Sequence, residues 1–260
     1  MTHSGSIHVR QSLREGGAVA FVTIDNAGRL NTLNAALMSR FATEMGALAR
    51  QDDLRAVVLT GAGERAFVGG ADIDELAAID GPGAARAFIG AVHGCCAAVR
   101  DLPVPVIARI GGWALGAGLE LAAACDLRVA AEGAMFGMPE VRLGIPSVVE
   151  AALLPALVGW GRTREMLLLG ETFDAATALR IGLVEAVVPA ADLDGAVEAR
   201  LAALLAGAPR AIRLQKALIR AWENLPMKAA IAAGIDAFAA AYETEEPRAV
   251  MAAWRAARGR

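Results

Sequence analysis

Two short glycine-rich turns constrain this chain more than anything else in it: Phe67-Val68-Gly69-Gly70-Ala71-Asp72-Ile73 and Gly112-Trp113-Ala114-Leu115-Gly116-Ala117-Gly118-Leu119-Glu120. Glycine has no Cβ and accepts positive φ, so at each turn a ligand atom can come up against the main chain. The first turn follows a strand-and-turn segment, Ala56–Phe67, and leaves the N–H of Ala71 as a donor. Its plain alternative is an ordinary turn into a helix around Asp72–Ala78, with Asp72 or Asp74 near the N-cap. The second turn opens a helix-like stretch, Leu119–Ala124, and places the Ala117 N–H near a helix N-terminus. Free amides and the helix dipole favour negative charge there. Glu120 lies three residues on and shares a face with Ala117; alternatively it is a first-turn glutamate that complements the dipole. Glu140 follows Pro139, twenty residues after Glu120, and alone reads as a solvated loop residue. Taken together, two amides aimed at one oxygen with two glutamates beside it would stabilise an enolate-like oxyanion and move protons around it.

The rest of the first half alternates strand-like and helix-like stretches. Ala18–Ile24 and Arg55–Thr60 are rich in valine and threonine and read as buried strands. Between them Leu33, Leu37, Phe41, Met45 and Leu48 mark one face of a helix. Val104–Ile110, Asp126–Ala131 and Leu183–Val188 are further strand candidates, the first disturbed by Pro103 and Pro105. This alternation predicts an α/β domain with parallel strands buried under helices, over residues 1–191. From Asp192 to Arg260 the chain turns alanine-rich and strand-poor, with helical periodicity broken near Pro209, Pro226 and Pro247. Three or four helices are expected in this 192–260 region, as a cap or an oligomerisation element. Its apolar positions Ile231, Ile235, Phe238 and Tyr242 need a partner, in the chain's own core or on a second subunit.

Composition closes off several function classes. The net charge is −3, from 25 basic and 28 acidic residues, and without a long basic run nucleic acid is not an expected partner. Three cysteines with no CxxC pair suit a reducing compartment, and three histidines do not suggest a metal site. No run of about 18 uncharged apolar residues suggests a membrane span, and the polar Met1–Arg14 does not read as a signal peptide. The expected compartment is the cytoplasm. Gly116-Ala117-Gly118-Leu119-Glu120-Leu121 lacks the third glycine of a dinucleotide fingerprint. Neither turn ends in the Gly-Lys-Ser/Thr of a phosphate loop, which argues against a dehydrogenase or nucleotide triphosphatase.

The two turns, the Glu120–Glu140 spacing and the strand order resemble the crotonase family, the enoyl-CoA hydratase/isomerase superfamily. The resemblance covers nearly the whole chain: Arg29–Asn34, Phe67–Leu76, Ile110–Asp126, Phe136–Pro146, Gly170–Ala175 and Ala178–Pro189. It implies a spiral of ββα units with a C-terminal helical region that builds a trimer or a dimer of trimers. It also implies an acyl-CoA ligand and no cofactor beyond the coenzyme A of the substrate. The thioester oxygen would be held by the N–H groups of Ala71 and Ala117, and Leu30 with the Asp72-Ile73 backbone would meet the CoA nucleotide. Arg255 is a weaker candidate for its phosphates. Family hydratases keep two glutamates at the positions of Glu120 and Glu140, so reversible addition of water to a 2-enoyl-CoA is the leading expectation.

One segment departs from that pattern. Many hydratases carry a glycine-rich stretch ending Gly-Gly-Thr-Gln-Arg after the second glutamate. Here the chain reads Leu143-Gly144-Ile145-Pro146-Ser147-Val148-Val149-Glu150-Ala151-Ala152-Leu153. Glu150 would be a third carboxylate in the site, or lie behind it or at the surface. Trp113, Leu76, Ile79 and Phe88 are candidate pocket walls, or ordinary core. The rival functions are a Δ3-Δ2 enoyl-CoA isomerase working with one glutamate, a CoA-thioester or C–C bond hydrolase of the same family, and a non-catalytic acyl-CoA-binding paralogue.

Overall fold

The computed structural model describes residues 5–259; the first residues of the polar Met1–Arg14 stretch and Arg260 lie outside the described residues. The strands are β1 (Ser6–Arg14), β2 (Gly17–Asp25), β3 (Leu54–Gly61), β4 (Ala66–Val68), β5 (Val106–Ile110), β6 (Trp113–Leu115), β7 (Leu127–Ala131), β8 (Met135–Gly137), β9 (Thr172–Asp174) and β10 (Ala186–Val188). Among the described residues they form a six-stranded sheet, ordered β1-β2-β3-β5-β7-β10, and a four-stranded sheet, ordered β4-β6-β8-β9. The β1–β2 and β8–β9 pairs are antiparallel; the other ladders are parallel.

From β3 to β8, successive strands fall alternately into the large and the small sheet. β3 leads to β4, β5 to β6, and β7 to β8, and each pair is followed by helical structure. This is the ββα spiral that the sequence resemblance implies. Its large sheet is apolar on both faces because both are covered. One face packs on α1 (Ala35–Leu48), whose buried Leu37, Met38, Phe41, Met45 and Leu48 form the expected stripe. Asn34 caps that helix by accepting a hydrogen bond from the Leu37 N–H at 2.8 Å.

The remaining helices are α2 (Ile73–Ala77), α3 (Gly81–Arg100), α4 (Ala117–Ala124), α5 (Leu154–Leu169), α6 (Ala175–Arg180), α7 (Leu193–Ala206), α8 (Pro209–Trp222), α9 (Met227–Ala241) and α10 (Glu246–Ala257). The second face of the large sheet is closed by α7. Its Leu193, Val197 and Leu201 pack on Ala56, Val58, Ile107, Val129 and Ala131. The prolines of the C-terminal region mark helix starts, where a missing N–H costs no hydrogen bond: Pro209 opens α8, Pro226 is the N-cap of α9 and Pro247 sits in the first turn of α10.

Two details differ from the sequence reading, and a third narrows what that reading left open. The strand expected at Val104–Ile110 begins at Val106, after Pro105 has given its carbonyl to the Val57 N–H at 2.9 Å. The one expected at Leu183–Val188 shortens to Ala186–Val188, because Leu183 and Val184 go into the core as a turn. Ile231, Ile235, Phe238 and Tyr242 are not core within this chain; they stand 59%, 68%, 68% and 42% exposed on α9.

The tightest junction of the spiral lies under α4. A Cβ on Gly118 would fall well inside contact distance of the Val68 carbonyl, so only glycine lets α4 rest on β4. Gly118→Ala is therefore expected to destabilise by about 1–3 kcal/mol, the range for overpacking. Gly90, in open space on α3, provides the control: Gly90→Ala is expected to gain about 0.5–1 kcal/mol by helix propensity. Thermal unfolding of the two variants beside wild type checks both signs.

Candidate active site

The small sheet assembles the site. β4, β6 and β8 are each three residues long and lie side by side in parallel. Their C-terminal ends deliver Gly69-Gly70-Ala71, Gly116-Ala117 and Pro139-Glu140 to one edge, where ligands of parallel sheets bind. The Gly116 N–H donates to the Gly137 carbonyl at 2.9 Å and pins the second turn to the third strand. Gly70, at φ 113°, lies against the Leu115 carbonyl, 3.2 Å from where a Cβ would be. The two glycine turns thus touch. Ala71, Ala117, Glu120 and Glu140 all line a single cleft.

Both candidate donors are free for a ligand. The Ala117 N–H belongs to the first residue of α4 and has no intrahelical acceptor. Around Ala71, the Leu33 N–H bonds the Gly70 carbonyl and the Asp72 N–H bonds the Leu33 carbonyl, both at 2.9 Å. The Ala71 N–H finds no backbone acceptor among the described residues.

The loop beneath is strained. Leu30 and Asn31 both take positive φ, 55° and 57°, a conformation asparagine tolerates and leucine does not favour. Asn31 secures it, donating through Nδ2 to the carbonyls of Ala62 at 3.0 Å and Ala66 at 2.8 Å. The Leu30 carbonyl accepts from the Gly69 N–H at 2.8 Å, so Leu30 adjoins the first turn. The Asp72 side chain is occupied structurally: it caps α2 through the Asp74 and Glu75 N–H groups and pairs with Arg29 at 3.0 Å. That leaves its main chain and Ile73, which lines the cleft, to meet a ligand. Arg255 stands exposed on α10, and no contact among the described residues joins it to the Leu30 loop.

The two glutamates differ in setting. Glu120 is buried and its Oε1 accepts from the Ala151 N–H at 3.2 Å. Glu140 opens a short 3₁₀ turn, Glu140–Leu143, and its Oε2 accepts from the Ser147 hydroxyl at 2.7 Å. The Glu140 carboxylate lies over Gly116, where any Cβ would displace it. Burial pushes the Glu120 carboxyl up to about 8, the charge of Glu140 adds to the shift, and the Ala151 hydrogen bond opposes it. Near neutral pH the pair therefore keeps a proton that two solvated glutamates would lose.

Some sequence expectations need correction. Leu76 and Phe88 line the cleft, but Trp113 and Ile79 do not; the wall is completed by Ile89, Val92, Leu115, Leu143, Ile145 and Val148. Glu150 is neither in the lining nor at the surface. It is buried behind the cleft, with Oε1 accepting from His93 Nδ1 at 2.9 Å. Ser147 and His93 were not anticipated; Ser147, seven residues past Glu140 in the departing segment, was the more visible signal.

The titration of Glu120 has a consequence for stability. A carboxyl held up to about 8 in the fold, against an ordinary 4.5, contributes stability that is complete below 4.5. That contribution is lost as pH rises through about 8. Glu120→Gln removes it, so the advantage of the variant in unfolding midpoint should widen from pH 5 to about pH 8 and level off above. Thermal melts across that range check it; a pH-independent gap would contradict the buried titration.

The chain was compared with known proteins. The family model for enoyl-CoA hydratase/isomerase matches residues 14–258. A short-chain-enoyl-CoA hydratase of Clostridium acetobutylicum is 35% identical, over 93% of each chain. A crotonyl-CoA hydratase of Syntrophomonas wolfei is 32% identical over 91% of each. The crystal structure of an enoyl-CoA hydratase from Bacillus anthracis superposes with a TM-score of 0.90 at 31% identity, covering 96% of this chain and 95% of that one. Sequence, fold and cleft agree: the chain belongs to the enoyl-CoA hydratase/isomerase family.

Proposed function

We propose that this protein is an enoyl-CoA hydratase, adding water reversibly to a 2-enoyl-CoA thioester. The observation that carries the reading is the pairing of Glu120 and Glu140 in one cleft that also presents the N–H groups of Ala71 and Ala117. Relatives named as hydratases support it.

In this reading the thioester oxygen sits between the two amides and a water sits between the two carboxyl groups. The water oxygen adds to C3 as the ionised carboxylate takes its proton, and the π electrons move onto the thioester oxygen. C2 then takes a proton from the protonated carboxyl. The pair begins and ends with one proton, so no outside acid or base is consumed. Each amide donor is worth about 2.7–4 kcal/mol of transition-state stabilisation. The CoA nucleotide lies along Leu30 and the Asp72-Ile73 backbone. The apolar walls, including Ile89 and Val92, take the acyl chain.

The exposed apolar face of α9 fits a homo-oligomer of the trimeric kind, with residues 1–191 carrying the site and 192–260 the contact surface. Three buried cysteines, none in a disulfide, fit a reducing compartment such as the cytoplasm. Among the described residues no helix is long and apolar enough to cross a membrane.

The decisive experiment follows the ultraviolet loss of conjugation of crotonoyl-CoA and longer or aryl analogues, with products identified by mass. Wild type should yield the hydrated thioester. Glu120→Gln and Glu140→Gln should each lose about 10²–10⁴-fold in kcat, the worth of a positioned proton-transfer group. Products of unchanged mass with only one glutamate required would replace the hydratase reading by the isomerase, and release of free CoA would replace it by the hydrolase.

A further inference from the structure

Behind the cleft lies a group that the proposed hydration does not use. Glu150 is nine-tenths buried, its side chain 8% exposed, while His93, which donates to its Oε1, is 58% exposed. The second oxygen, Oε2, is buried and has no protein partner. A buried carboxylate with one oxygen unsatisfied is unfavourable unless something depends on it. The charge of Glu150 also acts on two neighbours: Glu120, and the buried Cys96, one turn beyond His93 on α3. Glu150 therefore sits in the space between α3 and the catalytic face of α4.

Its position in the chain is equally specific. Glu150 is the residue before Ala151, whose N–H holds Glu120 Oε1, and the residue after Val149. Val149 has φ 40°, a left-handed conformation that a β-branched side chain strongly disfavours. That same turn is closed by the Ala151 N–H donating to the Val148 carbonyl at 2.9 Å. Such strain persists only where the surroundings over-determine it. Besides the Glu120 carboxylate that Ala151 meets, a side-chain bond that anchors the turn is the one His93 donates across to Glu150.

Resting on the reading of Glu120 as catalytic, we propose that Glu150, clasped by His93, is a positioning residue for Glu120. It holds the strained Val148–Ala151 turn against α3, so that the Ala151 N–H stays aimed at the Glu120 carboxyl. The groups facing Glu120 in this arrangement are Glu140 on its own turn, Glu150 on the strained turn, and Cys96 with His93 on α3. Breaking the clasp loosens the Ala151 hydrogen bond and leaves the carboxylate charges in place, so the carboxyl of Glu120 should titrate higher. Removing the charge of Glu150 while keeping the hydrogen bond should make it titrate lower.

The test uses the full-length protein and crotonoyl-CoA. Glu150→Ala should lower kcat about 10- to 100-fold, the scale of a small misplacement in an active site, with KM for the thioester within about threefold. Glu150→Gln should recover most of that loss, because its amide oxygen accepts the same His93 N–H. His93→Ala, at an exposed position that spares the core, should fall between them. In parallel, the ¹³C signal of the Glu120 carboxyl, assigned by its loss in Glu120→Gln, is titrated. It should shift up in His93→Ala and down in Glu150→Gln. Wild-type kcat with an unmoved carboxyl titration in His93→Ala overturns the proposal, whether or not Glu150→Ala folds. So does a Glu150→Gln variant as impaired as Glu150→Ala, or a loss that falls on KM with kcat intact. Full activity in Glu120→Gln would instead remove the catalytic reading of Glu120, and the carboxyl titration would still decide the positioning claim.

Discussion

The site depends on three parallel strands of three residues each. β4, β6 and β8 are too short to be stable alone; each continues from a longer strand of the large sheet and takes its place from that. Because they run parallel, with Ala114 paired to both Val68 and Phe136 after a register shift in β4, their ends arrive at the same level. Whatever follows each strand is then a neighbour of whatever follows the others. Two glycine turns and a proline-led glutamate far apart in sequence become one cleft. Gly118 belongs to the same constraint: it lets α4 come down on the Val68 carbonyl, which sets the height of Ala117 and, one turn later, of Glu120.

The fold treats buried charge in two opposite ways. Away from the cleft it pairs acid with base. Lys216 of α8, almost wholly buried, bonds Asp126 Oδ2 at 2.7 Å and the Val104 carbonyl at 2.8 Å, tying the C-terminal helices to the ends of the sheet. Arg128 is held in the same way by Glu185 and the Cys125 carbonyl. At and behind the cleft, by contrast, three glutamates gather in mostly apolar surroundings, held by a backbone amide, a hydroxyl and a histidine and by neither lysine nor arginine among the described residues. Desolvation, with the charge of Glu140 adding to it, then holds Glu120 up to about 8. This arrangement destabilises the protein at neutral pH. The cost is borne by the rest of the core.

How much of this was legible depends on the physical signal each part leaves in sequence. The α1 stripe from Leu37 to Leu48 has the 3.6-residue period, and the buried strands β2 and β3 are mostly apolar runs rich in valine and threonine; both were readable. The positions of Ala71, Ala117 and Glu120 followed from glycine, because close approach excludes a Cβ. The short strands β4, β6 and β8 leave no periodicity to detect. The long helix α3 was obscured by its four glycines, Gly81, Gly83, Gly90 and Gly94, although Val92, Cys95, Cys96 and Val99 line its buried face. Glu150 could not be placed from sequence. Its burial depends on a turn in which Val149 takes a conformation its side chain opposes, and on His93, 57 residues earlier.

Two groups of exposed apolar side chains have different physical explanations. Ile73, Leu143, Ile145 and Val148 surround the cleft, where an acyl chain would remove them from water. Ile231, Ile235, Phe238 and Tyr242 instead recur at helical spacing along one face of α9 and its C-cap, and Phe238 packs at a tilt against Tyr242 with ring centroids 5.4 Å apart. Among the described residues that stripe stays exposed, while α8 meets the helix through Trp222, whose indole N–H bonds the Ala230 carbonyl at 2.9 Å. A continuous apolar stripe of this kind is unfavourable in water and marks an interaction surface. The same helices that close the molecule over its charged anchors thus present its most hydrophobic face outward. That face, rather than the α/β spiral, is where the proposed assembly would draw its driving force.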